Sequence, residues 1–297
     1  MIRFSVIIPL YNKEHYVSKS IESILAQTYP HFEVVVINDG STDNSLAVAE
    51  SVKDSRIRII TKENGGVSQA RNMGIEKSRY DYICFLDADD TWCPDFLETI
   101  KTMIEEYPEA GIFATEYSFI DRHDQIIRRN TQALKKIVYT GNYAKSLIFD
   151  EVKQLCTISL CVKREVFAKT DGFRIGVKIG EDADMWLRLS FQTTVVWKNE
   201  SKAFYYFESE NNSGWQGDVY RSYRDIFPYW EWYSLKSFYA RIYASRKIWY
   251  DITRAYHFRE YKDMFYLILK MNWFYSALEY LMLKYARAKR KWRARFS

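Results

Sequence analysis

Short apolar runs alternate with helical periodicity along the first two-thirds of the chain, and that alternation restricts the fold more than any other feature. Residues 4–10 read Phe-Ser-Val-Ile-Ile-Pro-Leu and 32–37 read Phe-Glu-Val-Val-Val-Ile; 57–60 and 82–86 are two further runs of the same kind. Between them, 16–27 carries Val17, Ile21, Ile24 and Leu25 at helical spacing, and 41–53 and 67–77 read as helices two and three. Strands with little polar alternation are covered on both faces, and parallel neighbours need crossover connections, so the pattern predicts an α/β fold with a mostly parallel sheet flanked by helices. In such open sheets ligands lie outside the carboxyl ends of the strands. Those ends carry Tyr11-Asn12, Asp39 and Asp87-Ala88-Asp89.

The last of these ends is the most pointed. In Cys84-Phe85-Leu86-Asp87-Ala88-Asp89-Asp90 an apolar run stops in three carboxylates within four residues. Crowded carboxylates raise one another's pKa unless a cation sits among them, and a hard divalent ion with oxygen ligands is the natural occupant. The alternative is a turn with an Asp cap before a helix over 92–107. Asp90 is expected to cap that segment, leaving Asp87 and Asp89 for metal. A second acidic group, Glu181-Asp182-Ala183-Asp184, opens a predicted helix, where the dipole favours ionised carboxylates. Position alone leaves base and cap equally open for Asp182, with Glu181 and Asp184 as competing carboxylates.

Beyond residue 110 the reading loosens. A strand is predicted at 111–115, a polar hairpin or mobile segment at 117–136, a helix at 140–149, a strand at 157–163, a short helix at 164–170, and closing strands at 195–197 and 203–207. With 297 residues, the chain is expected to hold a first domain over 1–210 and a helical, aromatic-rich, basic region over 211–297. Leu235, Phe238, Tyr239 and Ile242 share one helical face there, and Lys284, Arg287, Lys289, Arg290, Lys291, Arg293 and Arg295 follow with no acid after Glu279. Amphipathic aromatic helices beside a basic cluster predict docking on a membrane surface, with a helical lid or a homodimer interface as the alternatives.

Several chemistries are excluded or disfavoured. There is no G-x-G-x-x-G or P-loop, the cysteines Cys84, Cys93, Cys156 and Cys161 form no C-x-x-C pair, and His15, His31, His123 and His257 are scattered. No nucleic-acid recognition motif accompanies the basic tail. The strand pattern begins at once after Met1-Ile2-Arg3, without room for a signal peptide, and 264–283 is broken by Lys270, Asn272 and Glu279, so no membrane span is expected. The expected location is cytoplasmic, peripheral on the inner membrane.

Five blocks together resemble family-2 glycosyltransferases. They are Phe4-Ser-Val-Ile-Ile-Pro-Leu-Tyr-Asn12, Val36-Ile-Asn-Asp-Gly-Ser-Thr-Asp43, Gly65-Gly-Val-Ser-Gln-Ala-Arg-Asn-Met-Gly74, Phe85-Leu-Asp-Ala-Asp-Asp90 and Glu181-Asp-Ala-Asp-Met-Trp-Leu-Arg188. The resemblance covers about the first 210 residues. It implies a Rossmann-like GT-A fold, a nucleotide-sugar donor, UDP-linked, and inverting transfer to a glycan or lipid-linked acceptor of a bacterial surface polysaccharide. It also implies roles. Pro9 and Tyr11 would line the base and ribose pocket, with Glu14 at the same pocket. Asp39 would accept from the uracil imide N–H, and Arg71 would approach the diphosphate. Asp87-Ala88-Asp89 would be the D-x-D element binding Mg²⁺ or Mn²⁺, chiefly through Asp89, and Asp182 would be the general base. The family often carries a basic or histidine-containing stretch after the last strand, whereas here 206–210 reads Tyr-Phe-Glu-Ser-Glu. The rival readings are a sugar nucleotidyltransferase, which lacks its Gly-rich basic loop here, and a catalytically silent glycan- or membrane-binding partner of another transferase.

Overall fold

Strand β1 (Phe4–Leu10) is the hub of the sheet in the computed structural model, which describes residues 1–121, 125–127, 137–141, 143–148, 155–177 and 180–206. The expectations for 211–297, for the segment after Tyr206 and for most of 122–136 lie outside the described residues. β1 pairs in parallel with β2 (Phe32–Asp39) on one side and β4 (Tyr82–Phe85) on the other, and β3 (Ile57–Lys62) extends the parallel set beyond β2. The crossovers are α1 (Val17–Leu25), α2 (Ser45–Ser51) and α3 (Val67–Lys77). Pro9 is tolerated because pairing with β4 stops at Ile7↔Phe85, so the missing N–H lies beyond the doubly paired part of the strand.

The second half of the sheet is mixed. It adds β5 (Thr91–Trp92), β6 (Ile112–Ile120), β7 (Ile126–Ile127), β8 (Ile137–Thr140), β9 (Leu160–Lys163) and β10 (Val195–Tyr206). β9 runs antiparallel between β4 and β6, and β10 returns parallel to β6. The order is β3-β2-β1-β4-β9-β6-β10-β5, with β7 on β6 and β8 on β10. Of the stretch 117–136, expected as a hairpin or a mobile segment, the described part has β6 running on to Ile120 and pairing antiparallel with β7.

Helices cover both faces. Phe4, Val6, Ile8 and Leu10 of β1 pack with Val17, Ile21 and Ile24 of α1 and with Phe96, Ile100 and Met103 of α4 (Phe96–Glu106). On the opposite face Val35 and Ile37 meet Ala70 of α3. Phe85 contacts Phe167 of α6 (Arg164–Phe167), Phe173, and Trp186 of α7 (Glu181–Ser190), with ring centroids 5.6–6.0 Å apart. Gly74 lets α3 approach β1 closely, since a Cβ there would lie 2.3 Å from Ile7 Cγ2.

Three local expectations change. The two closing strands are one, β10, whose register shifts between Lys198 and Ala203 carry the polar stretch through the ladder as bulges. The helix expected from residue 92 starts at Phe96, because Thr91 and Trp92 pair with Phe204 and Ala203 and the Trp92 ring stacks on Phe96 at 4.1 Å. The strand expected from residue 157 opens with a 3₁₀ turn, Thr157–Ser159. Two compact units divide the chain, Met1–Gly141 with Gln154–Trp215, and Asn142–Lys153 with Gln216–Ser297; α5 (Tyr143–Ile148) is the described helix of the second.

Candidate active site

The β1–α1 loop is stitched to the β2–α2 loop. Asn12 adopts φ +51°, which Asn tolerates better than most residues, and its side-chain oxygen accepts from Thr42 N–H at 2.8 Å. The Lys13 amide donates to Ser45 Oγ at 2.6 Å. Glu14 faces α2, where Oε2 accepts from the Asn44 amide at 2.8 Å and so satisfies an orphan N–H at the helix start. Tyr11 stands exposed at the rim, and Pro9, two residues earlier on β1, is half-buried.

Asp39 closes β2 and is buried. Its carboxylate accepts from the amides of Gly65 at 3.0 Å and Gly66 at 2.8 Å, and it pairs with the Lys62 ammonium. Asn64 Nδ2 donates to its carbonyl at 2.9 Å. Gly66 sits at φ +87°, in the left-handed half of conformational space that glycine supplies at little cost, and turns the chain into α3. The Asn-Gly-Gly turn thus wraps around Asp39, and its two glycine N–H groups serve that carboxylate.

Arg71, on the second turn of α3, is 4% exposed. Its Nη1 donates to Glu181 Oε1 at 2.8 Å and its Nη2 to Asp87 Oδ1 at 2.9 Å, while the guanidinium lies 5.5 Å from the Phe173 ring centre. Burial disfavours its charge, but Asp87 and Glu181 more than offset that and raise its pKa. One cation therefore joins the turn after β4 to the start of α7, a link between residues 110 positions apart.

At that turn Asp90 N–H donates to the Asp87 carbonyl at 3.0 Å, and Asp89 Oδ2 accepts from Lys13 Nζ at 2.6 Å. Asp90 is not a helix cap. It is buried, and Oδ1 accepts from the Tyr206 amide at 2.8 Å, which ties the end of β10 to the turn. Its Oδ2 has no partner among the described residues, and burial, then the charges of Asp89 and Asp87, push its carboxyl well above the ordinary range. Ala88, between the two partly buried acids, is buried and holds the turn against the core.

The three acids of α7 separate by environment. Asp184 is fully buried and clamped by Arg188 at 2.7 Å, with Arg174 also beside it. Glu181 is buried against Arg71; burial first, then neighbouring Asp182, push its carboxyl up to about 7 against the pull of Arg71. Asp182 keeps partial exposure, and its carboxylate accepts from the Ala183 amide at 2.6 Å and from Thr157 Oγ1 at 3.3 Å. Cys156 lies close enough to these groups to feel Asp182, Asp90 and Asp87 together. The residue is partly exposed, while its thiol is pushed well up by burial and then by Asp182, Asp90 and Asp87. Its signal in the sequence is only its place before the turn that carries Thr157.

The rim therefore holds Asp39, Arg71, Asp87, Asp89 and, through Arg71, Glu181 and Asp182. Among the described residues no group of three or more His, Cys, Asp or Glu side chains is arranged to hold a metal by itself. Asp87 and Asp89 on one tight turn still match the donor chemistry of Mg²⁺ or Mn²⁺, which take one or two carboxylates and complete their shell with phosphate oxygens and water. Lys13 and Lys62, the cations that face Asp89 and Asp39, carry no signal of that role in the sequence.

A sheet of this order, with acids at the carboxyl ends of its parallel strands, is the GT-A fold of glycosyltransferases. The crystal structure of S. aureus TarS 1-349 in complex with UDP-GlcNAc superposes with a TM-score of 0.73, covering 97% of this chain and 88% of that one at 19% identity, a likeness of fold. Residues 5–167 match glycosyl transferase family 2, and the chain belongs to that family. Glu181 and Asp182 lie beyond the matched stretch. An uncharacterized glycosyltransferase of Rickettsia bellii is 36% identical over 192 residues, covering 63% of this chain and 26% of that protein. Glycosyltransferase GlyA of Streptococcus pneumoniae is 42% identical over 119 residues, 39% of this chain and 17% of its own length. The chain thus spans about a quarter or less of these two curated relatives. Among the described residues no helix is long and apolar enough to cross a membrane.

Proposed function

We propose that the protein transfers a sugar, with inversion, from a UDP-sugar to a hydroxyl of a glycan or lipid-linked acceptor of a bacterial surface polysaccharide. The observation that carries this reading is the Arg71 bridge between Asp87 and Glu181, which sets the D-x-D turn and the first turn of α7 on one rim. TarS, whose fold the chain shares, was crystallised with UDP-GlcNAc and with UDP, which supports a uridine nucleotide donor. Pro9 and Tyr11 border the base and ribose, and Asp39 receives the uracil imide. Glu14 keeps its neighbouring loop in place. Arg71 acts from beneath the diphosphate by holding Asp87.

Asp89 and Asp87 would hold Mg²⁺ or Mn²⁺, which when bound would supply Lewis-acid stabilisation of the leaving diphosphate. Asp182 takes the proton of the acceptor hydroxyl as its oxygen bonds to the anomeric carbon and the bond from that carbon to the diphosphate breaks. The Ala183 amide and the Thr157 hydroxyl that donate to Asp182 orient its carboxylate, and its partial exposure leaves it reachable by an acceptor. The 211–297 region docks the enzyme on the membrane that carries a lipid-linked acceptor. UDP-sugar hydrolysis in Mn²⁺, measured for the full chain and for Asp89→Ala, tests the assignment. The variant should lose nearly all turnover, and turnover equal to the parent's would refute the metal role.

A further inference from the structure

Three acids at the strand ends each face a cation of this chain. Lys62 sits on Asp39, Arg71 on Asp87 and Lys13 on Asp89. Two of these are built in. Arg71 is buried between two acids, and Lys62 also donates to the Glu63 carbonyl. Lys13 differs in its mounting. Its main chain is fixed, because its amide donates to Ser45 Oγ and its carbonyl accepts from the amides of Tyr16 and Val17 at 3.0 Å each. Its ammonium rides on a flexible four-carbon stem and meets Asp89 Oδ2 at 2.6 Å, with both side chains only 13–14% exposed. That ammonium also lies 5.9 Å from the Tyr16 ring centre, a weak attraction.

We infer that Lys13 is a displaceable counter-cation of the metal site: it occupies Asp89 in the nucleotide-free protein and must leave before a divalent ion can bind there. This rests on the reading of Asp89 as a metal ligand. A charge-assisted hydrogen bond to a carboxylate of low exposure strengthens that contact and lowers the metal affinity of the empty site by the same factor. A nucleoside diphosphate arriving on the rim brings new anionic oxygens for the ammonium. It thereby frees Asp89 and makes metal and nucleotide binding mutually favourable, as linkage requires. The stem lets the ammonium move while the loop stays in place, so nucleotide and metal arrive together and the empty enzyme does not gather cations.

The test is Mn²⁺ binding to the full chain, read as the loss of free-ion EPR signal, with and without UDP. Lys13→Met keeps the stem and every main-chain hydrogen bond of the loop. It should bind Mn²⁺ without UDP roughly ten- to hundredfold more tightly than the parent, the scale of one charge-assisted hydrogen bond. The enhancement of Mn²⁺ affinity by UDP should shrink by a similar factor. Lys13→Arg retains the charge and should keep the parent's affinity. The inference is overturned if Lys13→Met binds Mn²⁺ no better than the parent, including the case in which neither binds detectably, or if Lys13→Arg shows the same gain. Asp89→Asn separates the two layers. If it leaves Mn²⁺ binding in the UDP complex intact, the metal assignment fails. If it abolishes that binding while Lys13→Met behaves as the parent, only the counter-cation role fails.

Discussion

Glu181→Gln probes the buried end of the Arg71 bridge. The Glu181 carboxyl is pushed from its ordinary 4.5 up to about 7, first by burial and then by Asp182, with Arg71 pulling the other way. A carboxyl with a higher pKa in the fold than in the unfolded chain holds its proton preferentially in the fold. Between 4.5 and about 7 the native protein therefore binds more protons, and stability falls as pH rises through that window. At about 1.4 kcal/mol per pH unit, the group withdraws about 3 kcal/mol over the window. Glutamine has nearly the shape of the protonated acid and does not titrate. The variant should match the parent in mild acid and exceed it by about 3 kcal/mol above neutrality. For a unit of about 200 residues that is a Tm difference growing by roughly 6–12 °C.

The assay is thermal unfolding of the full chain and of the variant across about pH 5–8 at one ionic strength, read as the difference at each pH so that the remaining carboxylates cancel to first order. A difference that does not change with pH would falsify the burial argument. A difference moving the opposite way would mean that Arg71 outweighs burial, so that Glu181 is an ordinary ionised partner.

Asp182→Asn should abolish transfer while leaving UDP affinity, measured by calorimetry, within about twofold, because asparagine keeps the size of the side chain and one acceptor oxygen but cannot take a proton. Gly74→Ala places a methyl 2.3 Å from Ile7 Cγ2 and should cost about 1–3 kcal/mol in urea unfolding, with part recovered by adding Ile7→Val; a neutral Gly74→Ala would mean that α3 can lift off β1. Full chain should float with anionic liposomes, and a chain ending near Gly217 should not; equal flotation of the two removes membrane docking.

Much of the site was legible because parallel strands bring their carboxyl ends to one edge, so acids at the ends of β2 and β4 become neighbours whatever the helices between them do. Where pairing depends on distant partners, the sequence was silent. The antiparallel insertion of β9 between β4 and β6 follows from contacts across the sheet, and the polar 198–202 stretch looks like a break between strands until the neighbouring β6 and the bulges are seen. Acids resist reading for the same reason. Glu181, Asp182 and Asp184 share one helix turn and one sequence signal, yet three different fates. Arg188 and Arg174 neutralise Asp184 in the core, Arg71 engages Glu181 from residues 110 positions away, and Asp182 is left with two neutral donors and partial exposure. A base must be reachable, and among these three Asp182 is the one that keeps partial exposure, which is why the proposal gives it that role. The difference lies in the cations that the fold delivers to its neighbours rather than in the carboxylate itself, and in the same way the fold sets Lys13, a residue of no evident chemistry in the sequence, against Asp89.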